Sequence, residues 1–142
     1  MADSAAIYAA VAATLTADAT LMALMTDGVF RDVSPAGSTN VVIISKQADE
    51  RAYSQSGMAY EDFTYLVKAV SKGTSGTRAN QAAARIKVLL QDTTLTISGY
   101  SLMRISQSEG EGAVEYQEVD PDDSDARWQH RGWLFDVMVS PT

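Results

Sequence analysis

Apolar residues recur every four positions at the start of the chain, at Ile7, Val11 and Leu15. That spacing predicts a helix with Asp3 or Ser4 as its cap. A second, short helix follows, capped by Asp18, with Leu21, Leu24 and Met25 as its apolar positions and Asp27-Gly28 as its stop and turn. Val29 to Val33 is a short strand candidate, ended by the turn-forming loop Ser34-Pro35-Ala36-Gly37-Ser38. Val41-Val42-Ile43-Ile44 sends β-branched side chains to both faces, so this strand is expected to be covered on both sides.

Ala48 to Gly57 is polar and reads as a hairpin or a loop. It leads into Phe63, Tyr65, Val67 and Ala69, which alternate with Thr64 and Lys68 as a half-buried strand does. After the small-residue linker Ser71 to Gly76, Thr77 is the expected cap of the clearest helix. Its apolar positions are Ala79, Ala82, Ala83, Ile86, Leu89 and Leu90, and Arg78, Gln81 and Arg85 form its wet face. Thr94 to Ile97 and Ser101 to Ser106 are β-like, with Gly99 as a bend between them. In the last element, Arg127 to Val139, Trp133, Phe135, Val137 and Val139 share one face. Leu134 and Met138 flank Asp136 on the other.

This order has no regular βαβ alternation. The predicted class is α+β: an antiparallel or mixed sheet with two main helices packed on one face, plus extended loops or a hairpin arm. A length of 142 residues without an internal repeat fits a single domain, 1–142.

Charge narrows the functional classes. Lys+Arg 11 against Asp+Glu 18 gives a net charge of −7, which opposes tight binding to nucleic-acid phosphates. The chain has no cysteine, so disulfides, thiol catalysis and thiolate metal sites are absent together, as suits a reducing cytoplasm. The alanine-rich start carries no basic residue before Arg31, which argues against a signal peptide. Thr, Asp or Ser interrupts every apolar stretch, so no membrane span is expected. The acidic groups are unevenly spread. Gln107 to Asp125 holds eight of the 18 and no basic residue, leaving the remainder of the chain at a net of +1. Such a run is expected to repel itself and stay mobile in the free subunit, although Val114, Tyr116 and Val119 leave room for a strand or hairpin arm that orders on a partner.

Candidate chemistry is sparse. His130 is the one histidine, and no serine near it sits in a Gly-x-Ser-x-Gly turn, so it reads as a strand histidine satisfied by a neighbour. Asp120-Pro-Asp-Asp-Ser-Asp125 resembles a calcium loop, but Asp125 stands where the sharp turn needs Gly and Arg131 where a bidentate Glu belongs. It reads as a solvated acidic loop. In Lys72-Gly73-Thr74-Ser75-Gly76-Thr77 the lysine precedes the glycines, so no phosphate cradle is formed and a strand-to-helix turn is the better reading. Met22, Met25, Met58 and Met103 read as gap-filling core. No catalytic residue, metal site or cofactor is expected. Trp128 falls on the opposite strand face from Trp133 and Phe135 unless Gly132 marks a bulge, and it is a candidate contact with another subunit.

Taken in order, four stretches carry a family likeness. They are the opening helix pair Ala6 to Met25 with Asp27-Gly28-Val29-Phe30, the Pro35 loop running into Val41-Val42-Ile43-Ile44, the strand Phe63 to Val70 with its helix Ala79 to Leu90, and Trp128 to Val139 with its His-Arg-Gly bend. The chain resembles the tail-terminator or tail-completion proteins of long-tailed phages and phage-derived gene-transfer particles. Its acidic segment is longer and more charged than the family's pattern. The resemblance implies a structural virion protein, assembled in the host cytoplasm, that forms a hexameric ring at the head-proximal end of the tail tube. Its partners would be copies of itself, the tube protein and a neck or head-completion protein. DNA would only pass through the channel, without sequence-specific binding.

The candidate contact residues are Trp128, His130, Arg131 and Trp133 on the closing strand and Glu115, Glu118, Asp120, Asp122, Asp123 and Asp125 in the acidic run. Those acids would either meet a basic patch on a neighbour or line the channel. Two other readings fit the same sequence. One is a head-to-tail connector or minor tube ring; the other is a soluble adaptor that binds a peptide by strand addition.

Overall fold

The computed structural model describes residues 4–54, 57–108 and 113–141. Three helices and six strands alternate as α1 (Ser4–Thr16), α2 (Ala19–Leu24), β1 (Gly28–Arg31), β2 (Asn40–Ser54), β3 (Gly57–Gly73), α3 (Thr77–Leu90), β4 (Tyr100–Gln107), β5 (Ala113–Asp120) and β6 (Asp123–Pro141). The class is α+β. One mixed sheet runs β1-β2-β3-β6-β4, with β5 also paired to β6. β4 takes the Phe135–Pro141 part of β6 and β5 the Arg127–Trp133 part, so two short strands share one edge of a long one. β1 is parallel to β2, and the other pairs are antiparallel.

The helices cover one face. Ile7, Val11 and Leu15 of α1, Leu21 and Met25 beside α2, and Ala82, Ile86 and Leu90 of α3 pack onto Val42, Ile44, Phe63, Tyr65, Val67, Phe135, Val137 and Val139. The period of four along α1 and the period of two along β3 and β6 supply these two matching surfaces. Asp18 caps α2 by accepting from Leu21 N at 2.9 Å, and it also takes two hydrogen bonds from the Arg85 guanidinium of α3. Arg85 and the cap together hold the Asp18 carboxyl down at about 2. Arg85 therefore fastens α3 to α2 instead of forming a wet face. Arg78 does the same at the other end, donating to Leu24 O.

The opposite face carries a smaller apolar cluster of Val41, Ile43 and Val70, flanked by half-buried Phe30 and Trp128. Val41 to Ile44 is thus buried on both sides, as its four β-branched residues require. The polar segment Ala48 to Gly57 belongs to the β2–β3 hairpin, which runs to Ser54↔Gly57, past the last β6 partner at Glu61.

Two expected elements differ. The cap of α3 is Gly76, not Thr77, because the turn lies against Arg131, whose Nη2 would sit 2.7 Å from any Cβ at position 76. Ser75 Oγ accepts from Thr77 N instead. Thr94 to Ile97 is not a strand: Ile97 makes one isolated bridge to Tyr100, and Leu95 and Ile97 are buried as plugs in the main core. The proposed α1 cap Asp3, the acidic residues Glu109 and Glu111, and the side chains of Met58 and Met103 lie outside the described residues. Met25 is buried and Met22 packs against the core. No helix among the described residues is long and apolar enough to cross a membrane.

Candidate functional site

The candidate contact residues converge on the hairpin of β5 and the first half of β6. Cross-strand register places Glu115 opposite Arg131, Tyr116 opposite His130 and Glu118 opposite Trp128. Pairing of β3 with β6 runs without a shift from Glu61↔Val139 to Gly73↔Arg127, so Gly132 is not a bulge. Trp128 and Trp133 accordingly face opposite sides of the sheet. Gly132 serves close approach, since a Cβ there would lie 2.3 Å from Val67 O and 2.5 Å from Lys68 Cα.

Three of the acids, Glu115, Glu118 and Asp120, meet partners within the subunit. Arg131 is buried beside α3; its Nε lies 3.2 Å from Glu115 Oε1, and its Nη1 donates to Tyr116 O and His130 O. Its Nη2 donates to Gln129 Oε1 at 3.3 Å, which fixes the guanidinium plane. On the other face His130 stacks on Tyr116 at 4.2 Å between ring centroids, and its Nε2 is 2.6 Å from Glu118 Oε1. Lys68 Nζ donates to Tyr116 Oη at 2.8 Å. Burial, helped by the Lys68 charge, lowers the His130 pKa against the opposing pull of Glu118. Around this cluster a cavity of about 390 Å³ opens between the Asp32–Ser34 loop and Trp128.

Asp120 ends β5 and is buried, with Oδ2 2.9 Å from Lys72 Nζ and Oδ1 accepting from Asp122 N. The Lys72 bond, then the backbone amide, hold its carboxyl below the usual range, and the same bond raises Lys72. The segment Ala113–Asp125 forms a hairpin built on β6, the hairpin arm for which Val114, Tyr116 and Val119 leave room; Arg131 and Lys72 each offset one acid, and Glu118 lies against the His130 ring. One expectation about the acidic run is corrected here: Asp120 is not part of a solvated loop, so neutralising it touches the packed structure. Asp122, Asp123 and Asp125 are exposed, with Asp123 Oδ1 accepting from Asp125 N.

Trp133 lies under α3, where its Nε1 donates to Ala83 O at 2.7 Å and Lys87 Nζ stands 4.7 Å from its ring. It is half-buried core, not part of the hairpin surface. Lys68, Lys72, Tyr116 and Gln129 were not foreseen as members of this cluster. Strand parity is the signal that could have found them, since Lys68, Val70 and Lys72 fall on the same face as His130 and Trp128 once the register is known. Among the described residues no group of three or more His, Asp or Glu side chains could hold a metal ion.

The sequence pattern of a family described as tail completion protein gp17 matches residues 9–130. The chain belongs to the tail completion protein gp17 family. It is a structural protein of the phage tail. The match runs from α1 through the β5 hairpin to His130 and so includes the Lys72–Asp120 and Glu118–His130 pairs and Trp128. A solved chain from "Virion of native gene transfer agent (GTA) particle" is similar over 96% of this chain and 96% of that one, at 21% identity and a TM-score of 0.71. That likeness shows a shared fold. The comparison with curated proteins found no match. Within the hairpin, Glu115 is placed against Arg131 of β6 and Asp120 against Lys72 of β3.

Proposed function

We propose that this tail completion protein works as a ring of identical subunits, hexameric by its resemblance to tail terminators. The ring sits on the head-proximal end of the tail tube, stops tube growth and offers the surface on which the neck joins. The observation that carries this reading is the sheet's pair of unsatisfied edges: among the described residues β1 pairs only with β2, and β4 and β5 pair only with β6. Open edges expose unpaired amides and carbonyls, and a chain that keeps them does so most safely where a neighbour covers them. The two edges differ, so a contact from one to the other joins subunits head to tail, and such contacts close into a ring where the rotation between neighbours closes. DNA would pass through the channel without being read, which accords with a net charge of −7.

A lysate from phage lacking this gene tests the reading by electron microscopy. Unjoined heads and tails of uncontrolled length are expected; normal joined particles would refute it. A connector or minor tube ring would instead leave tails of normal length, and a strand-adding adaptor would remain a monomer at every concentration, beside tube protein as well.

A further inference from the structure

Two surfaces that the subunit leaves open complement each other. One is a shallow apolar groove between α2 and α3, a space of about 790 Å³ lined by Ala19, Ala23, Leu24, Ala84, Arg85 and Val88. Its helix α3 carries Arg78, Arg85 and Lys87 and no acidic residue. Asp18 answers Arg85, whereas Arg78 reaches a backbone carbonyl and Lys87 an aromatic ring, neither of which cancels a charge. The other surface is the tip of the β5–β6 hairpin, where Asp122, Asp123 and Asp125 are exposed around Val119. Exposed large apolar side chains are few among the described residues, and Val88 at 69% and Val119 at 62% stand one on each surface.

We infer that the β5–β6 hairpin tip of one subunit seats in the α2–α3 groove of a second copy. Val119 would lie on the apolar floor beside Val88, with Asp122, Asp123 and Asp125 facing Arg78, whose guanidinium reaches Leu24 at the groove's rim. The inference rests on the ring reading above and names the surfaces that would close it. Because the two surfaces differ, the contact is heterologous and propagates head to tail. Apolar burial supplies the affinity, while the rim charges set register, association rate and salt dependence. The opposite charges lie on one chain, so a second copy satisfies the pair without a foreign partner.

Sedimentation of the purified full chain, over a range of concentration and salt, tests this with two variants. Asp122→Lys with Asp125→Lys disables the tip; Ala84→Glu with Val88→Glu disables the groove. All four positions are exposed, so thermal melts should match the parent. If the groove variant melts early, Val88→Gln replaces it. Each variant alone should assemble at least about tenfold more weakly than the parent. Mixed in equal amounts they should form dimers that grow no further, since one working tip and one working groove remain. Parent-like assembly of both variants, or a mixture that stays monomeric while the parent assembles, overturns the inference and leaves the ring reading standing. Loss of docking to tube protein with self-assembly intact would also overturn it, and would assign the tip to the tube. A parent that is monomeric at every concentration and beside tube protein overturns both.

Discussion

The two halves of β6 are held by different physics. From Trp133 to Val139 the strand alternates strictly, and Phe135, Val137 and Val139 are wholly buried beneath the helices. From Arg127 to Gly132 the same strand buries Gln129, His130 and Arg131, and every one of them is polar. The apolar half is stable because apolar area leaves water. The polar half is stable only as far as each buried polar group has been given a partner, for a buried charge stripped of its partner is costly. One continuous strand thus joins a tolerant region to an exacting one.

The largest expected effect breaks the apolar half. Phe135→Ala should cost about 3–5 kcal/mol by opening a cavity in the main core, read from the shift of the urea midpoint at constant slope. A loss below about 1 kcal/mol would mean that the helices do not rest on this face as described. Next is the junction of the halves. Gly132→Ala places a methyl against the backbone of Val67 and Lys68, which cannot swing aside, and should cost about 1–3 kcal/mol.

Acid should separate the halves. The carboxyl of Asp120 is held below its ordinary value by Lys72, so the stability it contributes is present above the unfolded carboxylate pKa and is lost as pH falls through the folded one. The melting temperature of Asp120→Asn should therefore lie below the parent's near neutrality, and the gap should close on acidification. A gap that stays constant with pH would assign the effect to shape instead of charge.

The smallest effect concerns His130, whose pKa burial depresses. Its neutral form is favoured in the folded state, so stability is full above the unfolded histidine pKa and declines as pH drops from there to the lower folded value. His130→Gln should remove that slope below about pH 6.5 while changing stability little at higher pH. A slope that survives would have to come from another group.

Much of the fold was legible because it rests on periodicity. The spacing of Ile7, Val11 and Leu15, the alternation from Phe63 to Ala69 and that from Trp133 to Val139 each name their buried face without reference to any other part of the chain. The class and the family likeness follow from such patterns in sequence. What was illegible depends on partners distant in sequence. Nothing near Asp120 says that Lys72 will neutralise it, nothing near Glu115 says that Arg131 will, and so the run read as self-repelling. Thr77 read as a cap because its chemistry suits one; only the Arg131 guanidinium packed against the turn makes the cap glycine. Of the candidate contact residues, Trp133 went to the core and Glu115, Glu118 and Asp120 to pairs within the subunit. Asp122, Asp123 and Asp125 keep their charge toward solvent.

The position of β6 in the chain has a consequence for timing. This strand is made after β1 to β5, yet it lies inside the sheet and, among the described residues, supplies the only partner of β4 and β5. Glu61 must wait for Val139, and the acidic hairpin cannot exist before its second strand leaves the ribosome. Pairings this remote in sequence close slowly. A nascent chain without β6 therefore has neither the edge formed by β4 and β5 nor the acidic hairpin to offer a growing tail.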